Sequence, residues 1–314
     1  MTDTRRALLD ALAAGPVAGP SLADRLGVSR AAVWKQVDAL REAGFGIDSG
    51  PDGYVVTDVP AYNAPAVEFG LDAPYTVEYH GSVGSTNDRA RELAGDGAEN
   101  VAVVADEQTG GRGRLRRAWS APAGGVWVSL VLRPDCPAAH APLYTLAAAV
   151  ATTRACREAG VDASIKWPND VLISDADEDR GGRKLAGILT EMEGEADRVS
   201  WLVVGVGVNA NIDADALPEG ATSLRAELGR DVDRRAFVQR LLETFHEVSA
   251  DRERVLDAWR EHAATLGQRV RVDTPGGVVE GTAVDVRSPG ALVVDTDDGE
   301  VVVHAGDCEH LRPA

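Results

Sequence analysis

The chain has 314 residues, room for two or three domains with a buried core at roughly 100–200 residues per domain. Three cysteines, Cys136, Cys156 and Cys308, without C-x-x-C spacing give neither a disulfide framework nor a cysteine zinc site, and point to a reducing cytoplasm. Fifty acidic against 32 basic residues set a formal charge of -18, which excludes a generic binder of nucleic acid or anionic membrane; any such activity needs a local patch.

The amino-terminal stretch is interrupted by Asp3 and Asp10, and the longest apolar run, around residues 201–208, falls far short of the ~20 residues that cross a bilayer. Neither a signal peptide nor a membrane span is expected. Of the 32 basic residues only Lys35, Lys166 and Lys184 are lysines. An acidic, lysine-poor surface suits a protein that works in concentrated salt, where its self-repulsion is screened, and it singles out the three ammonium groups that remain.

From residue 4 to about 56 the pattern predicts three short helices and a hairpin. Leu8, Leu9 and Leu12 form an apolar stripe that Gly15-Pro16 ends; Ser21 with Asp24 reads as a capping box for a second helix ending at Gly27. Ser29 caps a third, with Val33, Val37 and Leu40 at helical spacing and Gly44 just past its end. That is helix-turn-helix spacing. The third helix carries Arg30, Trp34, Lys35 and Arg41 outward, suited to phosphates and base edges, and residues 45–47 and 54–56 read as a wing; the alternative is a three-helix packing module. Residues 59–74, with three prolines and no clear periodicity, read as a linker.

Strands are predicted at 76–79, 101–105, 126–132, 165–167, 171–173, 185–191 and 199–208, and helices at 142–159, 235–250 and 254–264. Helices bunched rather than alternating with strands indicate an α+β domain over 75–264. Residues 265–314 hold short strands joined by glycine-rich turns and predict a small β-barrel. The acidic tract at 175–179 reads as a solvated loop tip.

Chemistry concentrates in Gln108-Thr109-Gly110-Gly111-Arg112-Gly113-Arg114-Leu115-Arg116-Arg117-Ala118-Trp119, with four arginines in six residues of an acidic chain. Glycines let backbone approach a ligand, and arginines offer forked donors to carboxylate or phosphate. The loop is neither a dinucleotide fingerprint nor a Walker A sequence, because the third glycine and the Gly-Lys-Ser/Thr are missing. Downstream stand Lys166-Trp167-Pro168-Asn169-Asp170, Lys184-Leu185-Ala186-Gly187-Ile188-Leu189 and Gly205-Val206-Gly207-Val208-Asn209. Singly, these are a hairpin turn and close-packing glycines, and Ser85-Thr86-Asn87 is a helix cap.

In this order, over nearly the whole chain, they resemble the biotin protein ligase family, and the amino-terminal winged helix resembles its bifunctional members, both ligase and biotin-operon repressor. The resemblance implies a winged helix-turn-helix at 1–58, a mixed-sheet catalytic domain and an SH3-like carboxy-terminal barrel. It implies that biotin and ATP, with Mg²⁺, give biotinyl-5′-AMP, and that a lysine of a biotin carboxyl carrier domain then attacks the acyl carbon. Ser85, Thr86, Gln108 and Arg112 are implied to hold biotin. Lys184 would bridge biotin's carboxylate and the α-phosphate, Arg114 would meet the phosphate, and Asn169, Gly205, Gly207 and Asn209 would face the nucleotide. Asp170 would take the proton from an attacking amine whose free pKa is about 10.4. Trp119 is either a wall of the pocket or a core tryptophan. Arg30, Trp34 and Lys35 are implied DNA contacts, the adenylate-bound form is implied to dimerise, and no metal ligands are identified.

One departure is Arg116, where the family usually has glycine; if that position needs positive φ, arginine costs on the order of 1 kcal/mol. Two rivals remain: a sensor without catalysis, and a ligase for lipoate or another acid. Residues 1–58 carry six basic and eight acidic side chains, so DNA recognition in high salt would rest on base and shape readout more than on phosphate contacts. The composition predicts that the melting temperature rises from low salt to molar KCl; a flat profile would contradict the salt reading.

Overall fold

The protein, described as a computed structural model, covers residues 2–174 and 182–311, so the acidic tract at 175–179 lies outside the described residues. Its first unit comprises α1 (Thr2–Ala13), α2 (Gly19–Leu26), α3 (Arg30–Glu42) and an antiparallel hairpin of β1 (Gly46–Gly50) and β2 (Gly53–Asp58). The expected stripes converge: Leu8, Leu9, Leu12, Leu22, Val33, Val37 and Leu40 are buried together. Ser29 accepts from Ala32 N at 3.2 Å as the cap of α3. Ser21 does not cap α2. That helix begins at Gly19 behind Ala18, with Pro20 in its first turn, where proline's missing N–H leaves no bond unmade.

Arg30, Trp34 and Lys35 are exposed on α3. Arg41 turns away from that face: its guanidinium donates to Ile47 O at 2.8 and 3.1 Å and to Ser49 Oγ at 3.0 Å, bracing the wing against the helix.

The stretch expected as a linker holds α4 (Ala64–Glu68), capped by Asn63, and packs tightly. Glu68, 1% exposed, receives both Arg5 contacts at 2.7 and 2.8 Å and the Val77 amide at 2.8 Å. Arg6 donates to the carbonyls of Leu71, Ala73 and Tyr75. The amino-terminal unit is thus bonded to the domain that follows.

That domain runs β3 (Thr76–Val83), α5 (Thr86–Gly95), β4 (Val101–Gln108), β5 (Val126–Leu132), α6 (Ala141–Glu158), β6 (Ala163–Lys166), β7 (Asp170–Ile173), β8 (Arg183–Gly194), β9 (Val199–Val208), α7 (Leu224–Leu228), α8 (Arg234–Ser249) and α9 (Arg252–His262). The strands form one sheet in the order β3-β4-β5-β9-β8-β7-β6, with only the β3–β4 pair parallel. The alanine face of α6 packs on β8 and β9 and against α8 and α9. Of α5 only the cap was visible in the sequence, since its buried side is little more than Ala90 and Ala94.

The last unit has β10 (Arg269–Thr274), β11 (Gly277–Arg287), β12 (Ala291–Thr296), β13 (Gly299–Val303) and β14 (Asp307–His310), all antiparallel in the order β13-β12-β11-β10-β14. β13 and β14 do not pair among the described residues, so the expected barrel is an open five-stranded sheet in its hydrogen bonding. Among the described residues no helix is long and apolar enough to cross a membrane.

Glu68→Gln takes the counter-charge from a desolvated guanidinium and weakens three bonds at once; it is expected to lower unfolding free energy by about 2 kcal/mol, read by denaturant titration. An unchanged midpoint would show that this junction contributes nothing.

Candidate active site

A cavity of about 270 Å³ opens above the sheet between the 108–119 loop, the start of α5 and the carboxy-terminal unit. Ser85, Thr86, Gln108, Arg112, Arg114, Asn169, Asp170, Lys184, Gly205, Gly207 and Asn209, all singled out from sequence, line it together. Trp119 lines it too, which resolves its two readings in favour of a wall.

Lys184 reaches the cavity because of a bulge. Val171 pairs with Ala186 but Leu172 pairs with Lys184, so β8 carries one extra residue there. In an unbroken strand, positions 184 and 187 would face opposite sides; the extra residue restores them to one side. A Cβ added at Gly187 would accordingly lie 3.3 Å from Lys184 Cε. Lys184 Nζ pairs with Asp170 Oδ1 at 2.6 Å and stands 5.2 Å from the centre of the Trp119 ring. Its backbone is held by Gly220 O at 2.8 Å and by Thr222 N at 2.9 Å.

The arginines divide by partner. Arg112 pairs with Asp88, and Arg117 with Asp307 at 2.6 Å. Arg114 donates instead to Asn169 Oδ1 at 3.1 Å and to Gly306 O at 3.0 Å, both neutral. Among the described residues Arg114 is the cavity cation that has no carboxylate partner, so its charge is available to a ligand anion. Gly306 ends the turn before β14 and Asp307 is the first residue of that strand, so the last unit walls the site; no local pattern in the sequence marks residues so distant from the loop. The positive φ of this loop falls on Leu115 (54°), and Leu115 alone departs from helical backbone within 114–116. The strain considered for Arg116 therefore sits one residue earlier, on an exposed leucine.

At the other end, Thr86 N and Thr86 Oγ1 both contact Gln108 Oε1, at 2.8 and 3.0 Å. Asn87, which the sequence showed only as part of a cap, donates to Leu189 O at 3.3 Å and Glu191 Oε2 at 2.8 Å. The paired glycines explain themselves here. Gly187 and Gly207 are cross-strand partners under the Trp119 ring, which a Cβ on either would approach within 3.0 to 3.3 Å. A Cβ at Gly205 would lie 2.1 Å from Asn87 Oδ1. Gly-x-Gly is a side-chain-free shelf that seats an indole and an amide. Asn209 donates to Thr222 O at 2.9 Å, tying the end of β9 to the far wall.

The 166–170 hairpin is braced from behind. Trp167 N donates to Thr265 Oγ1 at 2.9 Å, and Trp167 Nε1 to Gly290 O at 3.0 Å. Thr265 Oγ1 also lies within hydrogen-bond distance of His310 Nε2, at 3.1 Å, which links the hairpin's brace to β14. Burial, helped by the nearby Lys166 ammonium, lowers the His310 pKa to about 4, and burial pushes the Cys308 thiol up to about 12. Lys166 is buried there and does not line the cavity, so the three lysines have three different settings.

Residues 84–209 match the biotin/lipoate A/B protein ligase family, 265–311 the biotin protein ligase C-terminal domain, and 4–55 an HTH domain. The bifunctional ligase/repressor BirA of Bacillus subtilis is 36% identical over 310 residues, 93% of each chain. A biotin–[acetyl-CoA-carboxylase] ligase of Mycobacterium tuberculosis is 36% identical over 244 residues, 73% of this chain and 86% of that one. The structure of a biotin protein ligase from Aquifex aeolicus in complex with biotin and ATP superimposes with a TM-score of 0.63 at 26% identity, covering 76% of this chain and 99% of that one.

The brace predicts a pH dependence. An unfolded histidine titrates near 6.5 and His310 in place near 4, so between these values the unfolded chain takes up a proton that the folded one refuses. Its contribution is intact above about pH 6.5, falls as pH drops, and levels off below about 4, a loss of about 3 kcal/mol in all. Relative to wild type, His310→Gln should lose less stability across that window in parallel denaturant titrations; equal slopes would contradict the assignment.

Proposed function

The chain belongs to the biotin/lipoate A/B protein ligase family, in its bifunctional ligase/repressor branch, and from that premise we propose how its residues carry out both activities. The enzyme joins biotin to AMP from ATP and transfers the biotinyl group to a lysine of a biotin carboxyl carrier domain. Its amino-terminal helix-turn-helix makes it a repressor as well.

The observation that carries the mechanism is the charge arrangement around Lys184: an ammonium held by one carboxylate beside an arginine held by none. A carboxylate oxygen of biotin attacks the α-phosphorus, the new O–P bond forms, and pyrophosphate leaves with the electrons of the broken one. Lys184 and Arg114 offset the repulsion of the two anions and stabilise the charge that builds on phosphorus. As Lys184 turns to these anions, Asp170 loses its partner. It is then the free base beside the acyl carbon, accepting the proton as the lysine amine attacks and AMP departs. Ser85, Thr86, Gln108 and Arg112 hold the biotin ring, and Asn169, Gly205, Gly207 and Asn209 serve the nucleotide, the glycines by leaving the sheet bare.

Magnesium fits this scheme as part of the nucleotide substrate, on its phosphates: among the described residues no group of three or more His, Cys, Asp and Glu side chains is placed to hold an ion. The exposed Arg30, Trp34 and Lys35 of α3 would read an operator, with dimerisation on adenylate binding as the coupling step and the cytoplasm as the compartment. The domain limits 1–58, 75–264 and 265–314 are proposed with them; the matched segments fall within or close to these limits.

Biotin-dependent exchange of pyrophosphate into ATP, with no carrier present, tests the first half. Wild type should exchange, Lys184→Ala should fall by about 10²–10³-fold with its melting temperature kept, and lipoate should not replace biotin. Retained exchange in the variant would remove Lys184 from its role; lipoate as the better acid would favour the rival substrate.

A further inference from the structure

Lys166, the last residue of β6, is the lysine that the mechanism above leaves unused. It is 8% exposed and does not line the cavity, and among the described residues its ammonium has no carboxylate partner, whereas Lys184 has one. A charge held unpaired in such a place is costly, so its presence calls for a partner that arrives later. Resting on the ligase reading above, we propose that Lys166 is a positioning residue for Asp170: when Lys184 turns to the ligand anions, Lys166 takes over one oxygen of that carboxylate, and the other stays ionised and open to the acceptor amine.

The strand register places the two side by side. Lys166 and Asp170 are cross-strand partners in the β6–β7 hairpin, and Asp170 is in turn the partner of Gly187 on β8. Partners share one face of a sheet with Cβ atoms about 5 Å apart, a gap that a lysine stem spans. Along the strand order β8-β7-β6, Asp170 therefore stands between two strands that each carry an ammonium on the cavity side.

Other candidates for either partner are already engaged. The groups of β14 that feel the Lys166 charge are the Cys308 thiol, pushed up to about 12, and the His310 imidazole, lowered to about 4, and both are neutral at the pH of the reaction. Asp307, which begins that strand, pairs with Arg117 at 2.6 Å, and Glu309 is exposed. On the side of Asp170, Lys184 and Arg114 go to the ligand, Arg112 is held by Asp88 and Arg117 by Asp307. Asp170 Oδ1 is shielded from solvent, and a carboxylate stranded there without a cation would rise in pKa and take up a proton, which ends its use as a base. With Lys166 behind it, Asp170 remains the carboxylate that receives the amine proton while the C–N bond forms and AMP leaves with the electrons of the broken C–O bond.

The test uses the full chain, loaded with its adenylate, in single-turnover transfer to a biotin carboxyl carrier domain between pH 5 and pH 8. Biotin-dependent exchange of pyrophosphate into ATP by wild type checks the ligase reading separately. The acceptor amine titrates alike with every variant, so the ratio of variant to wild-type rate isolates what Lys166 changes. For Lys166→Met the ratio is expected to fall at least about threefold from pH 8 to pH 5, as Asp170 takes up a proton; for Lys166→Arg, which keeps the charge, it should stay level. A loss in Lys166→Met that is the same at every pH, or no loss, would overturn the proposal. If Lys166→Met does not fold, wild type decides alone: calorimetric titration with a non-hydrolysable adenylate analogue at pH 5.5, in buffers of different ionisation enthalpy, should show the same proton uptake as Asp170→Asn, and an uptake that Asp170→Asn abolishes would contradict the assignment.

Discussion

Two anions must be brought within bonding distance, and that repulsion sets the terms for the rest of the molecule. In a chain of formal charge -18 the positive side chains that can do so are gathered at one place, a glycine-rich loop and one strand lysine. Arg112, Arg117 and Lys184 are each held by an aspartate, so they are positioned without leaving a raw excess of charge, while Arg114 rests on neutral oxygens. In the mechanism proposed above, ligand anions would replace the protein's own carboxylates, and the displaced Asp170 would be the base that the second step requires. On that proposal one exchange of partners would serve both halves of the reaction.

The fold supplies this exchange from separated stretches of chain. A bulge in β8 aims Lys184, bare glycines on β8 and β9 seat Trp119 and Asn87, and Gly306 with Asp307 at the start of β14 contacts Arg114 and Arg117. The winged helix is no loose appendage. Arg5 and Arg6 bind Glu68 and three backbone carbonyls just before β3, whose end leads directly into the Ser85 cap. A change in the catalytic domain therefore has a short, bonded route to the DNA-reading unit, as coupling between two sites requires.

Much of this was legible in the sequence because the informative features are local. Apolar spacing and Ser29 gave the helix-turn-helix, and the loop arginines, Lys184 and the Pro-Asn-Asp turn meet as their residue types suggest. What was not legible depends on distance or on register. The Lys184 bulge is a register shift that no residue type announces, and Asp307 comes from another unit. Helix α5 hides because a helix that buries little more than two alanines has almost no stripe, and the Ser21 signal was outweighed by Pro20 one residue earlier. Arg41 looked like a DNA contact because its position on the helix is outward, yet two nearby acceptors on the wing, Ile47 O and Ser49 Oγ, capture it.

The central claim is that this constellation makes an acyl-adenylate for delivery to lysine. Its most direct test is mass spectrometry of a biotin carboxyl carrier domain incubated with the protein, ATP, Mg²⁺ and biotin in high KCl. The account predicts a gain of one biotinyl group on a single lysine, dependent on ATP. An unmodified carrier, with biotin bound tightly to the protein, would contradict it and leave a biotin sensor.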